Sequence, residues 1–171
     1  MLLLPMDEAM TTVLLQNLHR RGYVEIASEG YSMYPFIRPG DVCKFIPCDV
    51  TKLVAGDVVL YVSQSGRLVG HRLLHVIGIP LNMGIVLQGD TNVHSDGLIS
   101  TDAVLGRLTE IRRGRRVIVT HLGIARVWTL LILKVPLMSK SVRKWLHITL
   151  IWQHRWNRLR LSSRFSSREH S

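Results

Sequence analysis

Apolar positions along the chain first follow a helical period. Met10, Val13, Leu14 and Leu18 fall on one stripe of residues 7–21, and Gly22 is a natural stop, which predicts a helix. From residue 23 the period shortens. Residues 23–27 alternate like a strand, and Pro35 and Pro39-Gly40 force turns before the next run. Residues 42–46 and 57–63 read as strands, with Gly56 in the turn before the second. Gly66 marks a hairpin turn, residues 67–77 form its return strand, and 84–88 form another strand before a loop over 90–97. Residues 104–111 and 116–120 make a last hairpin around Arg113-Gly114. Many short strands with glycine turns predict a mainly β fold, a twisted and mostly antiparallel sheet with a short N-terminal helix.

After residue 120 the pattern changes. Residues 123–138 are apolar, but Arg126 and Lys134 interrupt them and Pro136 ends them, so the run is short and charged for a membrane span. In residues 141–161, Val142, Trp145, Ile148, Trp152, Trp156 and Leu159 recur at three- and four-residue spacing. Arg143, Lys144, Arg155 and Arg158 lie mostly off that stripe. Such a basic amphipathic helix suits the plane of a membrane surface, and packing on its own domain is an equal alternative. Residues 162–171 are polar and read as a disordered end. The expected organisation is a β domain over 1–120, a basic helical tail over 121–161 and that end.

The chain of 171 residues suffices for one domain with a buried core. Its net charge of +10 is unevenly placed: residues 1–106 carry seven Lys/Arg against ten Asp/Glu, and residues 107–171 carry fifteen against two. The basic part therefore calls for an anionic partner, phospholipid headgroups or nucleic acid. Membrane association would put this tail on the cytoplasmic side. Two cysteines, Cys43 and Cys48, make no disulfide framework and read as reduced, partly buried thiols. Residues 1–5 (MLLLP) are too short for a signal-peptide core or a span.

The chemistry centres on Ser32, set in Gly30-Tyr31-Ser32-Met33-Tyr34-Pro35. A serine is a weak nucleophile unless a base sits beside it. His71, in Gly70-His71-Arg72 on the return strand, has the right side chain to take a proton near neutral pH. His75 competes for the role, on the same strand and the same face by parity. Asp90 and Asp96 bracket the turn-rich stretch Asp90-Thr91-Asn92-Val93-His94-Ser95-Asp96, and either would orient a histidine. The bland alternatives are a turn serine, a surface histidine and turn aspartates.

These segments carry a family resemblance. GYSMYP followed by Pro39-Gly40-Asp41, then Ala55-Gly56-Asp57-Val58-Val59, GHR, QGDTNVHSD and Gly106-Arg107 occur in an order that resembles the type I signal peptidases. The branch found in the endoplasmic reticulum, archaea and spore-forming bacteria, with histidine in place of lysine, is the most similar. The resemblance spans about residues 29–107 and places self-cleaving SOS-response repressors in the same clan. It implies a coiled β-sheet domain and a serine endopeptidase without cofactor or metal, cutting a leader from a peptide or preprotein. Ser32 would be the nucleophile, His71 the general base and Asp96 the preferred third member, with Asp90 the alternative. The Ser32 amide would serve the oxyanion. Gly30 stands where the family often has a serine hydroxyl, and would admit the substrate backbone. Met33 would pack beneath the site, while Pro35 and Asp41 shape the loop. The substrate would add as an extended strand beside a groove.

Two other readings compete. A self-cleaving repressor needs a DNA-binding domain and a cleavable pair ahead of the serine. Only about thirty residues precede Ser32, and the one Ala-Gly, Ala55-Gly56, follows it. A non-catalytic module would bind nucleic acid or membrane through its basic tail, with tryptophans stacking on bases, but no specific nucleic acid is expected.

Overall fold

The computed structural model describes residues 8–79, 82–120 and 122–134, together with Ser141 and Lys144. The expected helix over 141–161 and the expected disordered end therefore lie outside the described residues, apart from those two positions. Helix α1 (Glu8–Arg21) leads into strands β1 (Val24–Ala27), β2 (Val42–Ile46), β3 (Val58–Val62), β4 (Leu68–Ile79) and β5 (Asn82–Gln88). Then follow β6 (Leu98–Ser100), β7 (Val104–Arg113), β8 (Arg116–Val119) and helix α2 (Gly123–Lys134). Short 3-10 turns at Val50–Lys52 and Thr101–Ala103 precede β3 and β7.

The strands form one antiparallel sheet in the order β1-β2-β7-β3-β4-β5-β6, curled into a half-barrel. Strand β7 has β2 on one edge; on the other it pairs with β3 near its start and with β8 near its end. Register shifts at Lys44/Phe45, Leu60/Tyr61 and Leu73/His75 mark irregularities of the kind that bend a strand and increase its twist.

Strand β3 reads as an unbroken apolar run because both its faces are buried. Val58 and Leu60 join one core with Leu14, Leu18, Met33, Phe36, Ile37, Phe45 and Ala125. Val59 and Tyr61 join the other with Val69, Leu73, Ile85, Leu87 and Ile99. Helix α1 covers the first core through Leu14 and Leu18, one turn apart, whereas Val13 is 56 % exposed. The predicted stripe is thus narrower than expected, since a helix lying on one sheet face buries only the residues directly beneath it.

Strand β4 inherits the two-sided environment. Val59 pairs with His71 and Val58 with Arg72, so these two neighbours point to opposite faces. The imidazole joins the Tyr61 side, and the guanidinium joins the side covered by Phe36 and α2. Helix α2 begins just past the expected boundary at residue 120 and contacts the sheet. Ala125 is buried in the first core with Trp128 packed against it, while Val127, Leu130 and Leu131 face solvent. No helix among the described residues is long and apolar enough to cross a membrane.

Candidate functional site

Ser32 lies in the turn-rich link between β1 and β2, which two anchors hold down. Met33 and Ile37 are fully buried in the first core, so the segment folds over its own apolar side chains. Asp41 accepts from the Arg38 amide at 2.8 Å and from Arg113 Nε and Nη2 at 2.9 and 2.6 Å. Arg113 Nη2 also donates to the Phe36 carbonyl at 2.9 Å. The Asp41 carboxylate holds the Arg113 guanidinium above its ordinary pKa. The aspartate of the Pro39-Gly40-Asp41 turn thus ties the serine segment to β7.

A second loop, between β5 and β6, meets Ser32 from the other side. Strand β5 ends its pairing with β4 at Arg72↔Gln88, which leaves the flank of His71 to residues 89–96. The Thr91 amide donates to the Ser32 carbonyl at 2.9 Å, and Thr91 Oγ1 donates to the Tyr31 carbonyl at 3.1 Å. Gly89 packs so tightly there that a Cβ would stand 2.8 Å from the Ser32 oxygen. The Asp96 amide donates to the Leu87 carbonyl at 2.8 Å, fixing the far end of the loop.

These anchors bring three side chains into line. Asp96 Oδ2 lies 2.6 Å from His71 Nδ1, and His71 Nε2 lies 2.8 Å from Ser32 Oγ. An ionised carboxylate only accepts, so Nδ1 carries the proton and Nε2 accepts from the serine hydroxyl. His71 is 6 % exposed and packs at a tilt beside Tyr61, ring centroids 6.5 Å apart. Burial, then the Asp96 charge and its hydrogen bond, push the Tyr61 hydroxyl well above its ordinary pKa, so Tyr61 stays a neutral donor beside Asp96. An imidazole held between carboxylate and hydroxyl can take the hydroxyl proton as the oxygen attacks, the carboxylate meanwhile stabilising the imidazolium.

A groove of about 540 Å³ opens onto this line, its walls including apolar Tyr61, Val69 and Ile99 and polar Ser63, Arg67 and Asn92.

Of the two aspartates left open by the sequence, only Asp96 meets His71. Asp90 is fully buried and belongs to the opposite face of β4, where it accepts from Arg72 Nε and Nη2 at 2.7 and 2.8 Å. His75 is not brought to Ser32. A register shift separates it from Leu73, which interrupts the parity count, and its side chain is exposed. Met33 is fully buried in the first core, Pro35 follows the serine in the same turn, and Gly30 is half-buried just before it. Sequence reasoning missed Tyr61 and Thr91. The signal for Tyr61 was its alternation with Val59, the position that pairs with His71.

Two other sequence boxes have local causes. Asp57 accepts from the Val54 amide at 3.0 Å and closes the turn before β3. Arg107 reaches Asp57 at 3.7 Å, and a Cβ on Gly106 would stand 2.5 Å from the Ile46 carbonyl. Both cysteines are free; burial pushes the Cys43 thiol up to about 12 and raises that of Cys48.

No protein-family profile matches the chain, and comparison with curated proteins and with solved structures finds no match either.

Proposed function

We propose that this chain is a serine endopeptidase of the signal-peptidase type, cutting a leader segment from a peptide or preprotein at a membrane surface. The observation that carries the reading is the hydrogen-bonded line from Asp96 through His71 to Ser32. The order of the sequence boxes around it and the curled antiparallel sheet support the same reading.

In this reading Ser32 Oγ attacks the scissile carbonyl carbon while its proton passes to His71 Nε2. The imidazolium, held by Asp96, then gives that proton to the leaving amine, and the acyl group stays on Ser32. Water deprotonated by His71 attacks the ester, releases the acid product and restores the serine. The groove beside Ser32, with Val69 and Ile99 among its walls, suits an extended peptide. Exposed Leu122, Val127, Leu130 and Leu131, together with the basic residues from 115 onward, support contact with an anionic bilayer.

The test is cleavage of a leader peptide presented with anionic vesicles by wild type, Ser32→Ala and His71→Ala. The reading expects cleavage by wild type and loss in both variants with folding intact. Wild-type rates from Ser32→Ala would refute the nucleophile.

A further inference from the structure

Asp90, the carboxylate that does not touch His71, is fully buried and receives three hydrogen bonds. Two come from Arg72, which is 1 % exposed, and the third from Trp128 Nε1 of α2 at 2.8 Å. Arg72 spends its remaining nitrogen, Nη1, on the Gly56 carbonyl and on Thr129 Oγ1 of α2, both at 2.8 Å. The Phe36 ring lies against the guanidinium, 4.8 Å from its carbon to the ring centroid. Two consecutive residues of one helix thus complete the donor and acceptor sets of a buried ion pair. Thr129 also packs where a Cβ on Gly56 would stand, 2.3 Å from its Cγ2, so the approach of α2 depends on that glycine.

The chain neighbours of Asp90 are the residues that hold the serine. Gly89 packs on the Ser32 carbonyl, and Thr91 bonds that carbonyl and the one before it. A displacement of the Asp90 carboxylate therefore passes through one peptide unit on either side to the backbone of Tyr31 and Ser32. Resting on the reading of Ser32 as nucleophile, we propose that Trp128 and Thr129 are positioning residues. Helix α2 fixes the Arg72–Asp90 pair, the pair fixes the 89–92 loop, and the loop fixes where Ser32 Oγ meets His71. The helix that follows the β domain is in this account part of the site's support and not only a tail.

The experiment uses the full chain with Trp128→Phe, which keeps an aromatic ring and removes the donor, and Thr129→Val, which keeps the shape and removes the hydroxyl. Two readouts are taken: kcat and KM on the leader peptide, and hydrogen exchange at the Thr91 amide. The expected result in each variant is a fall in kcat of about tenfold or more with KM unchanged, since a small misplacement of reacting groups acts on the chemical step. Thr91 exchange should rise while amides of β3 and β7 keep wild-type protection. Wild-type kcat with unchanged Thr91 exchange would overturn the proposal. So would a uniform rise in exchange across β3 and β7 with kcat per folded molecule unchanged, because that marks a structural role only. If the wild-type chain cleaves no peptide, the nucleophile reading fails by itself. Thr91 exchange then still decides the mechanical link, and unchanged exchange in both variants overturns it.

Discussion

Asp96→Asn removes one negative charge from the site and almost nothing of its shape. In the native arrangement Oδ2 stands 2.6 Å from His71 Nδ1, with the aspartate side chain 19 % and the histidine side chain 8 % exposed. In the proposed mechanism a neutral imidazole becomes an imidazolium as the serine proton arrives, so a full charge–charge attraction with Asp96 develops only then. With charge centres about 4 Å apart and an effective dielectric of about 20, that attraction is about 4 kcal/mol. Because it arises in the transition state, its loss falls on kcat and leaves KM nearly unchanged. At about 1.4 kcal/mol per decade the expected loss in kcat is about a thousandfold. Initial rates on the leader peptide measure it, with a thermal melt to show that the variant is folded. Asp90→Ala is the comparison, expected to lower kcat through the 89–92 loop but by less than Asp96→Asn. It strands the buried Arg72 guanidinium without its carboxylate and should cost about 3–5 kcal/mol of stability. An Asp96→Asn protein retaining more than about a tenth of the wild-type kcat would refute the reasoning.

Three further outcomes are expected. Gly56→Ala should lose roughly 1–3 kcal/mol in a denaturant melt, since Gly56 has φ +101° and its Cβ would strike Thr129; unchanged stability would contradict the packing of α2 described above. Burial first, and then the Asp41 charge, raise the Cys43 thiol from its ordinary 9.0 to about 12. Native protein at pH 8 should therefore leave Cys43 unalkylated by mass spectrometry, and the stability contributed by the buried thiol, full below about pH 9, should fall as pH rises toward 12. Ser28 Oγ is buried without a protein hydrogen-bond partner among the described residues, so Ser28→Ala should be neutral or stabilising; a loss of more than about 1 kcal/mol would contradict this.

Where local pattern decides structure, the sequence was legible. Residues 42–46, set off by Pro39-Gly40 and Pro47, form β2 with the expected bounds, and the apolar run of residues 58–62 is a strand buried on both faces. Strand β6 escaped notice because three residues at a sheet edge show no period. The parity argument for His75 failed because a register shift after Leu73 is set by pairing with β5, a non-local partner. The geometry joining Ser32, His71 and Asp96 was legible only as a list of residue types. Whether Asp90 or Asp96 meets the imidazole depends on which face of β4 each loop end reaches, and Arg72 decides that by capturing Asp90 from behind. Trp128 was read as part of an apolar run, because its bond to Asp90 closes only when α2 lies on the sheet.

The most direct test of the central claim is covalent labelling of native protein by a serine-reactive fluorophosphonate, with the modified residue mapped by mass spectrometry. A hydroxyl bonded to an imidazole reacts, and an ordinary turn serine does not. The account predicts labelling at Ser32, absent in Ser32→Ala and in His71→Ala, and retained in a folded Ser28→Ala protein. No label at Ser32, or equal labelling of Ser32 with His71 removed, would contradict it.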